Sequence, residues 1–249
     1  RNVFNKDFLV YENEHKYDIV IGNPPYVGKK SIDNDYAAYL KIRYKEVYRD
    51  KGDLSYCFFK KALEDLSEGG KLTFITSRYF IESPSGEDLR KVLKEACTID
   101  KIIDFYGVRP FKNVGIDPLI MFITNHKNED NEIVIIKPLK VKSKDKKEFY
   151  NNVFLKGGNK FNIFLLNKNE LDDKGWVLVD EKARIIINKI KQKKYTKLSN
   201  ICNSYQGIIT GCDKAFVVNN EISLRKNIEN NILKPWIKSS YIEKNEVSR

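Results

Sequence analysis

The sequence predicts an α/β fold, with a largely parallel sheet closed by an antiparallel hairpin and a mixed α/β, basic C-terminal region after it. Three observations carry this. Apolar β-branched runs alternate with segments of helical period through residues 17–126. The connection VRPFKNVGI, between two strand-like runs, is too short for a crossover helix, so those strands pair antiparallel. Charge is also divided: residues 1–126 hold 20 Lys and Arg against 19 Asp and Glu, whereas residues 127–249 hold 25 against 15.

Taken in order, NVFNKDFLV (2–10) reads as a short strand and its exit, and 17–22 as a second strand. SIDNDYAAYLKIRYKEVYRD then gives a lid-like loop and a helix. Residues 53–68 are helical, with Leu54, Phe58, Ala62 and Leu66 every four residues and Gly69-Gly70 as the stop. KLTFITS (71–77) is a strand. GEDLRKVLKEAC (86–97) is a helix with Leu89, Val92, Leu93 and Ala96 on one face. IDKIIDFYG (99–107) and DPLIMFITN (117–125) are the hairpin strands. Beyond NHKNEDNE come a strand at Ile133–Ile136 and the basic tract KPLKVKSKDKKEFY. A helix over 180–194 is capped by Asp180, with Ala183, Ile186, Ile187 and Ile190 inward. SYQGIITGCDKAFVV reads as glycine-punctuated strand and loop. These elements divide into 1–126, 127–175 and 176–249.

Composition bounds the function. Of 249 residues, 41% are hydrophobic and 32% charged, a globular composition with net charge +11. No apolar run approaches the roughly 20 residues of a membrane span, so no membrane partner is expected. The start, RNVFNKDF, is not a signal peptide and lacks an initiator Met, which suggests a fragment of a longer polypeptide. Cys57, Cys97, Cys202 and Cys212 are scattered and the only histidines are His15 and His126, so no zinc site is expected. Scattered free thiols suit a reducing cytoplasm. A neutral half joined to a basic half suggests a catalytic body with a polyanion-gripping attachment.

The chemistry concentrates at IVIGNPPYVG. An apolar strand ends at Gly22 and meets Asn23-Pro24-Pro25-Tyr26 at the edge where open α/β sheets bind ligands. Two prolines fix φ and remove two N–H donors, leaving the Pro24 carbonyl outward in a rigid turn. The Asn23 side chain adds a second acceptor. Two preset acceptors match one group, an –NH2 with two protons to donate, and the Tyr26 ring can stack on the planar system bearing it. An exocyclic adenine amine is a poor nucleophile because its lone pair is delocalised. Acceptors placed for a tetrahedral nitrogen draw that pair out of conjugation without a general base. The matching electrophile is the methyl sulfonium of S-adenosylmethionine, and the base must first leave the duplex stack.

At this point the sequence resembles the TaqI-type, gamma-class adenine-N6 DNA methyltransferases, including the methylase part of type IIG restriction-modification enzymes. KDFLVYENEHKYDIVIGNPPYVG is similar to the acidic-strand motif and catalytic loop of that family. GDLSYCFFKKALEDLSEGGKLTFITSRYF resembles its following helix, GG turn and strand. FYGVRPFKNVGIDPLIMFITN resembles the hairpin with its second aromatic, and YQGIITGCDKAFVV the opening of a specificity domain. The resemblance implies a partial Rossmann-like, S-adenosylmethionine-dependent methyltransferase sheet, with 1–126 its C-terminal part, 127–175 a β-rich connection and 176–249 the start of a target-recognition domain. It implies that Asp7 and Phe8 meet the cofactor adenine, with Pro25 and Phe58 lining the same pocket. Asn23 and the Pro24 carbonyl hold the target amine, Tyr26 stacks on the flipped base and Phe111 packs against it. Lys29 and Lys30 are candidate phosphate contacts on double-stranded DNA. Methyl transfer of this kind needs no metal.

The chain departs from the family pattern in one respect: no G-x-G turn precedes Asp7, so the methionine end of the cofactor site is not represented. Nor does an acidic pair followed by E-x-K appear, so any nuclease of the parent polypeptide lies elsewhere. A protein-glutamine or ribosomal RNA adenine methyltransferase uses a related motif, and a non-catalytic DNA-specificity module is the third reading. The basic second half favours DNA. Two outcomes follow. Residues 1–249 alone bind S-adenosylmethionine weakly or not at all, which titration calorimetry checks. DNA binding is salt-sensitive, with log K falling against log[salt] at about −0.9 per phosphate contact; a flat response removes DNA from the reading.

Overall fold

The computed structural model describes residues 3–27, 32–49, 52–107, 115–139, 161–193, 195–205, 207–208, 210–237, 242–243 and 246–247. Contacts divide the chain into two compact units, Arg1–Gln192 and Lys193–Arg249.

The first unit is built on a six-stranded mixed sheet. Its strands are β1 (Tyr17–Gly22), β2 (Leu66–Ser77), β3 (Thr98–Asp104), β4 (Pro118–Thr124), β5 (Glu132–Pro138) and β6 (Phe161–Asn167), in the order β1-β2-β4-β3-β5-β6. β1 runs parallel to β2 and β3 parallel to β5, while the β2–β4, β3–β4 and β5–β6 pairings are antiparallel. The α/β class and the antiparallel β3–β4 pair agree with the sequence reading, but the sheet is mixed rather than largely parallel. The reason is β4, which returns from β3 by a short connection and inserts between β2 and β3, pairing antiparallel with both. β5 and β6, within 127–175, extend this same sheet.

Helices cover one face. α1 (Asn34–Arg43) starts at Asp33, whose side chain accepts from the Asp35 and Tyr36 N–H groups. α2 (Leu54–Asp65) buries Tyr56, Cys57, Phe59 and Ala62. α3 (Tyr79–Glu82) and α4 (Glu87–Ala96) follow β2, with Leu89 and Leu93 fully buried. Against these helices lie Leu72, Phe74, Leu119, Met121 and Ile123 of the sheet. The opposite face carries a smaller cluster of Ile103, Phe105 and Ile136. At its β1 end Ile19 and Ile21 are 64% and 77% exposed.

Two buried ionic groups tie distant segments. Arg90, fully buried, donates to the carbonyls of Phe80, Ser83 (2.8 Å) and Asp173 (2.8 Å). Asp104, also fully buried, accepts from Arg78 Nε and the Tyr106 N–H, both at 3.1 Å, with Lys137 Nζ 3.5 Å from its second oxygen. A buried carboxylate needs such pairing, because unpaired charge is costly away from water. The four thiols are free: Cys57 and Cys97 are buried, Cys202 and Cys212 exposed. Burial raises the Cys57 and Cys97 thiols to about 12. No helix among the described residues is long and apolar enough to cross a membrane.

Several local expectations are corrected. Residues 3–10 form no strand; the Asp7 carboxylate captures the Leu9 N–H (2.9 Å) and its carbonyl accepts from Val10 and Tyr11, an Asx-type turn. Gly69-Gly70 does not stop α2. The helix ends at Leu66, which turns extended to pair with Tyr17, and the glycines lie inside β2. The helix after Asp180, α5 (Glu181–Gln192), is capped as expected by Asp180, which accepts from the Ala183 N–H at 3.0 Å. Its apolar face is not inward: no residue is buried, and Ile186 and Ile190 are 59% and 58% exposed. Amphipathic spacing selects a face without supplying a surface to cover it.

In the second unit, the stretch read as strand and loop contains α6 (Asp213–Phe216), followed by α7 (Asn220–Arg225). The Thr210 hydroxyl donates to Asp213 at 2.6 Å, and Asn219 caps α7 through the Ile222 N–H at 2.8 Å. A short antiparallel pair, β7 (Ile242–Glu243) and β8 (Glu246–Val247), lies in the same unit.

Gly22 closes β1 against a side chain that leaves no room. A Cβ there would meet Phe74 Cε1 at 2.9 Å, and Phe74 is itself packed edge-on to Phe59 at 5.1 Å. Gly22→Ala is expected to cost about 1–3 kcal/mol by overpacking. Phe74→Leu in the same chain should recover part of it, which denaturant melts of the single and double variants measure.

Candidate active site

β1 delivers the Asn23-Pro24-Pro25-Tyr26 turn to the carboxyl edge of the sheet. Asn23 and Pro25 are exposed, Pro24 is buried and Tyr26 is half-buried. The Tyr26 hydroxyl lies 2.7 Å from Asn23 Oδ1 and 3.2 Å from the carbonyl oxygen of Ile75 on β2. Burial, with the charge of Asp53 behind it, raises the Tyr26 phenol to about 12. The hydroxyl therefore keeps its proton and donates. With one proton it serves one of the two oxygens at a time. Bonding to the Tyr26 hydroxyl fixes the Asn23 carbonyl and leaves that oxygen a second lone pair.

The exit of the turn is gripped by α2. Val27 accepts from the Leu54 N–H at 3.0 Å, and Asp53 caps α2 through the Ser55 N–H at 2.9 Å. Burial raises the Asp53 carboxyl above its ordinary value, against the lowering effect of hydrogen bonding.

A second cluster forms around the Asp7 turn. The Phe8 and Phe58 rings stack at 5.4 Å with 23° between planes. At that separation they touch, and an intercalated ring would need roughly 7 Å. A nucleobase can lie against the outside of this pair but not between its rings. Lys61 Nζ stands 5.7 Å over the Phe8 ring and is paired with Asp65 at 2.5 Å, and Asn13 Nδ2 donates to the other Asp65 oxygen. Burial first, then the nearby Asp7 carboxylate, raises the Tyr36 phenol. Tyr44 and Tyr39 donate to the Leu9 carbonyl at 2.7 and 3.4 Å.

The structure thus joins Asn23 to Tyr26 and Phe8 to Phe58, and places Asp7 in the turn before Phe8. Phe111, Lys29 and Lys30 lie outside the described residues. Sequence reasoning missed Asp53 and Tyr36. Asp53 carried a signal, since it directly precedes a helical run in GDLSY. Tyr36 carried none beyond the aromatic content of its segment.

Comparison with known proteins agrees with this geometry. Residues 1–111 match the family described as the Eco57I restriction-modification methylase. The Type II methyltransferase M.BstVI of Geobacillus stearothermophilus is 25% identical over 98% of this chain and 45% of its own length. M.HindII of Haemophilus influenzae, also a Type II methyltransferase, is 28% identical over 87% of this chain and 43% of its own. The chain spans less than half the length of these two relatives. The crystal structure of the type IIG restriction endonuclease BpuSI superposes with a TM-score of 0.52 at 14% identity, covering 94% of this chain and 30% of that one, a likeness of fold. Residues 1–111 are thus similar to the Eco57I restriction-modification methylase family, and most of the chain is similar to Type II methyltransferases.

Proposed function

We propose that this domain methylates the N6 amine of a flipped-out adenine in double-stranded DNA, with S-adenosylmethionine as donor. The observation that carries the reading is the 2.7 Å bond from the Tyr26 hydroxyl to Asn23 Oδ1. It orients one acceptor at the strand edge while leaving it a free lone pair. The Pro24 carbonyl is the second acceptor, stiffened by the proline that follows. Together they bind two amine protons in the tetrahedral arrangement, which favours the nitrogen whose lone pair has left conjugation. Neither residue has to take the proton, which passes to water after transfer. The Tyr26 ring stacks on the base, and Phe111 packs on the same base from the hairpin connection.

Asp7, Phe8 and Phe58 fit the adenine end of the cofactor: a carboxylate acceptor beside an aromatic surface, with Pro25 at its rim. The cofactor, when bound, supplies a methyl group activated on a sulfonium. Lys29 and Lys30 contact phosphate. Residues 1–126 are the catalytic part, 127–175 the connection and 176–249 the start of target recognition. Any nuclease activity resides elsewhere in the polypeptide; BpuSI, similar in fold and a much longer chain, is a restriction endonuclease.

The full-length gene, expressed in a bacterial host without adenine methylation, is expected to place N6-methyladenine at one sequence motif, mapped by single-molecule sequencing. Asn23→Ala and Tyr26→Ala are expected to lower methyl transfer by about 100-fold or more, and Tyr26→Phe, which keeps the ring, by less. An unmethylated genome with the protein folded and expressed moves the substrate to a glutamine amide or an RNA adenine, or makes the protein a binding module.

A further inference from the structure

β1, β2 and β3 run in one direction, since β1 is parallel to β2, and β2 and β3 both pair antiparallel with β4. Their carboxyl ends therefore share one edge of the sheet. A tyrosine that is not buried follows each: Tyr26 after β1, Tyr79 after β2 and Tyr106 after β3, the last two 64% and 60% exposed. Tyr106 is held at both backbone and ring. Its N–H donates to Asp104 Oδ1 at 3.1 Å, and the Arg78 guanidinium stands 4.4 Å from its ring centroid. We propose that Tyr106, backed by Arg78, is a stacking platform for a second nucleobase of the DNA, separate from the flipped adenine. This rests on the reaction proposed above and extends it to how the DNA is held.

Three observations favour a platform over an incidental surface stack. First, Arg78 does not depend on the ring. Its Nε donates to Asp104 Oδ1 at 3.1 Å, its Nη2 lies 2.8 Å from Glu82 Oε1, and its own N–H donates to the Asp117 carbonyl at 2.9 Å. The guanidinium is fixed by these partners, and it fixes the ring it faces. Second, Phe105 beside it is buried, with its N–H donating to the Pro118 carbonyl at 3.1 Å, and Gly107 on the other side has φ +75°. Anchored before and turned sharply after, Tyr106 is held out at the edge rather than folded into the core. Third, its place suits a different base. In the order β1-β2-β4-β3 it lies three strand spacings from the Asn23–Tyr26 turn, roughly 14 Å. One purine cannot touch both. Along a stacked strand that span is about four base steps. A cation on one face of the ring draws electron density from it, which suits the other face to an electron-rich base. Every base has a π-face, so such a contact adds affinity with little sequence preference.

The test uses the full-length protein and a duplex carrying the motif it methylates. Tyr106→Ala removes the ring and Tyr106→Phe keeps it; at an exposed position both should melt as the wild type does. Tyr106→Ala is expected to weaken duplex binding about 5- to 150-fold and Tyr106→Phe by less than about threefold, with KM for S-adenosylmethionine unchanged in both. 2-Aminopurine, whose fluorescence falls on stacking, is placed in turn at each position within about four of the target adenine. At one position it should be dimmer with the wild type and Tyr106→Phe than with Tyr106→Ala. Wild-type affinity in Tyr106→Ala overturns the platform and leaves the reaction standing. So does the absence of ring-dependent dimming at every position, or a Tyr106→Phe as weak as Tyr106→Ala. Should the wild type methylate nothing, the proposed reaction fails, and heat-denatured genomic DNA becomes the probe. Weaker binding by Tyr106→Ala alone then upholds the platform, and equal binding by all three proteins overturns it as well.

Discussion

The Phe74 ring, filling the space that a side chain at Gly22 would occupy, is the contact on which the site depends. Gly22 is the last residue of β1, and a Cβ there would meet Phe74 Cε1 at 2.9 Å, so the turn leaves the sheet from a position that packing keeps bare. Phe74 is not free to yield. It meets Phe59 edge-on, Phe59 tilts against Phe80 at 5.8 Å, and Phe80 meets Trp176 edge-on at 5.9 Å. Rings in such offset contacts gain more than their area alone. A series of aromatics therefore runs from behind the Asn23–Tyr26 turn to a tryptophan far along the sequence, in the segment that Arg90 also holds through the Asp173 carbonyl.

That arrangement shows how a rigid site is made from short segments. The turn is backed by Phe74, its tyrosine reaches the Ile75 carbonyl one residue along β2, and its exit is tied to the start of α2. Three elements fix four residues. The Asp7 turn is built in the same manner by different means. Asp65 holds Asn13, while Tyr39 of α1 and Tyr44 just after it hold the Leu9 carbonyl. Hydroxyl donors on a rigid helix and acceptors on an irregular segment satisfy backbone that no strand pairs.

What the sequence made legible follows the strength of its local signals. β1, α4 and the β3–β4 hairpin each combine periodicity with a cap, a turn or a β-branched run and stand where that reading put them, while α2 and β2 keep their type but meet at Leu66 rather than at the glycines. The Asn-Pro-Pro-Tyr turn was legible because prolines restrict the backbone by covalent structure rather than by context. What was not legible depends on partners. The stretch 3–10 looks extended, but the Asp7 side chain takes its backbone. Gly69-Gly70 looks terminal, yet Leu66 finds Tyr17 first. No strand was assigned to 161–167, although FNIFLLN pairs along its whole length with β5. The mixed character of the sheet hinged on where β4 inserts, a choice made by tertiary pairing alone. In the site, Asn23 and Tyr26 were found from type and order. Asp53 and Tyr36 lie near Tyr26 and Asp7, more than twenty residues away along the chain, a proximity no single-sequence pattern encodes.

The distribution of thiols has a practical consequence. Cys57 and Cys97 are sealed in the first unit, with thiols held near 12, so at neutral pH they are neither accessible nor nucleophilic. Cys202 and Cys212 are exposed, and both belong to the second unit. A maleimide dye applied to the native protein therefore marks Lys193–Arg249 and leaves Arg1–Gln192 untouched. The sequence supplies a two-position optical handle on the second unit, through which binding of the proposed DNA partner can be followed by fluorescence without introducing any cysteine.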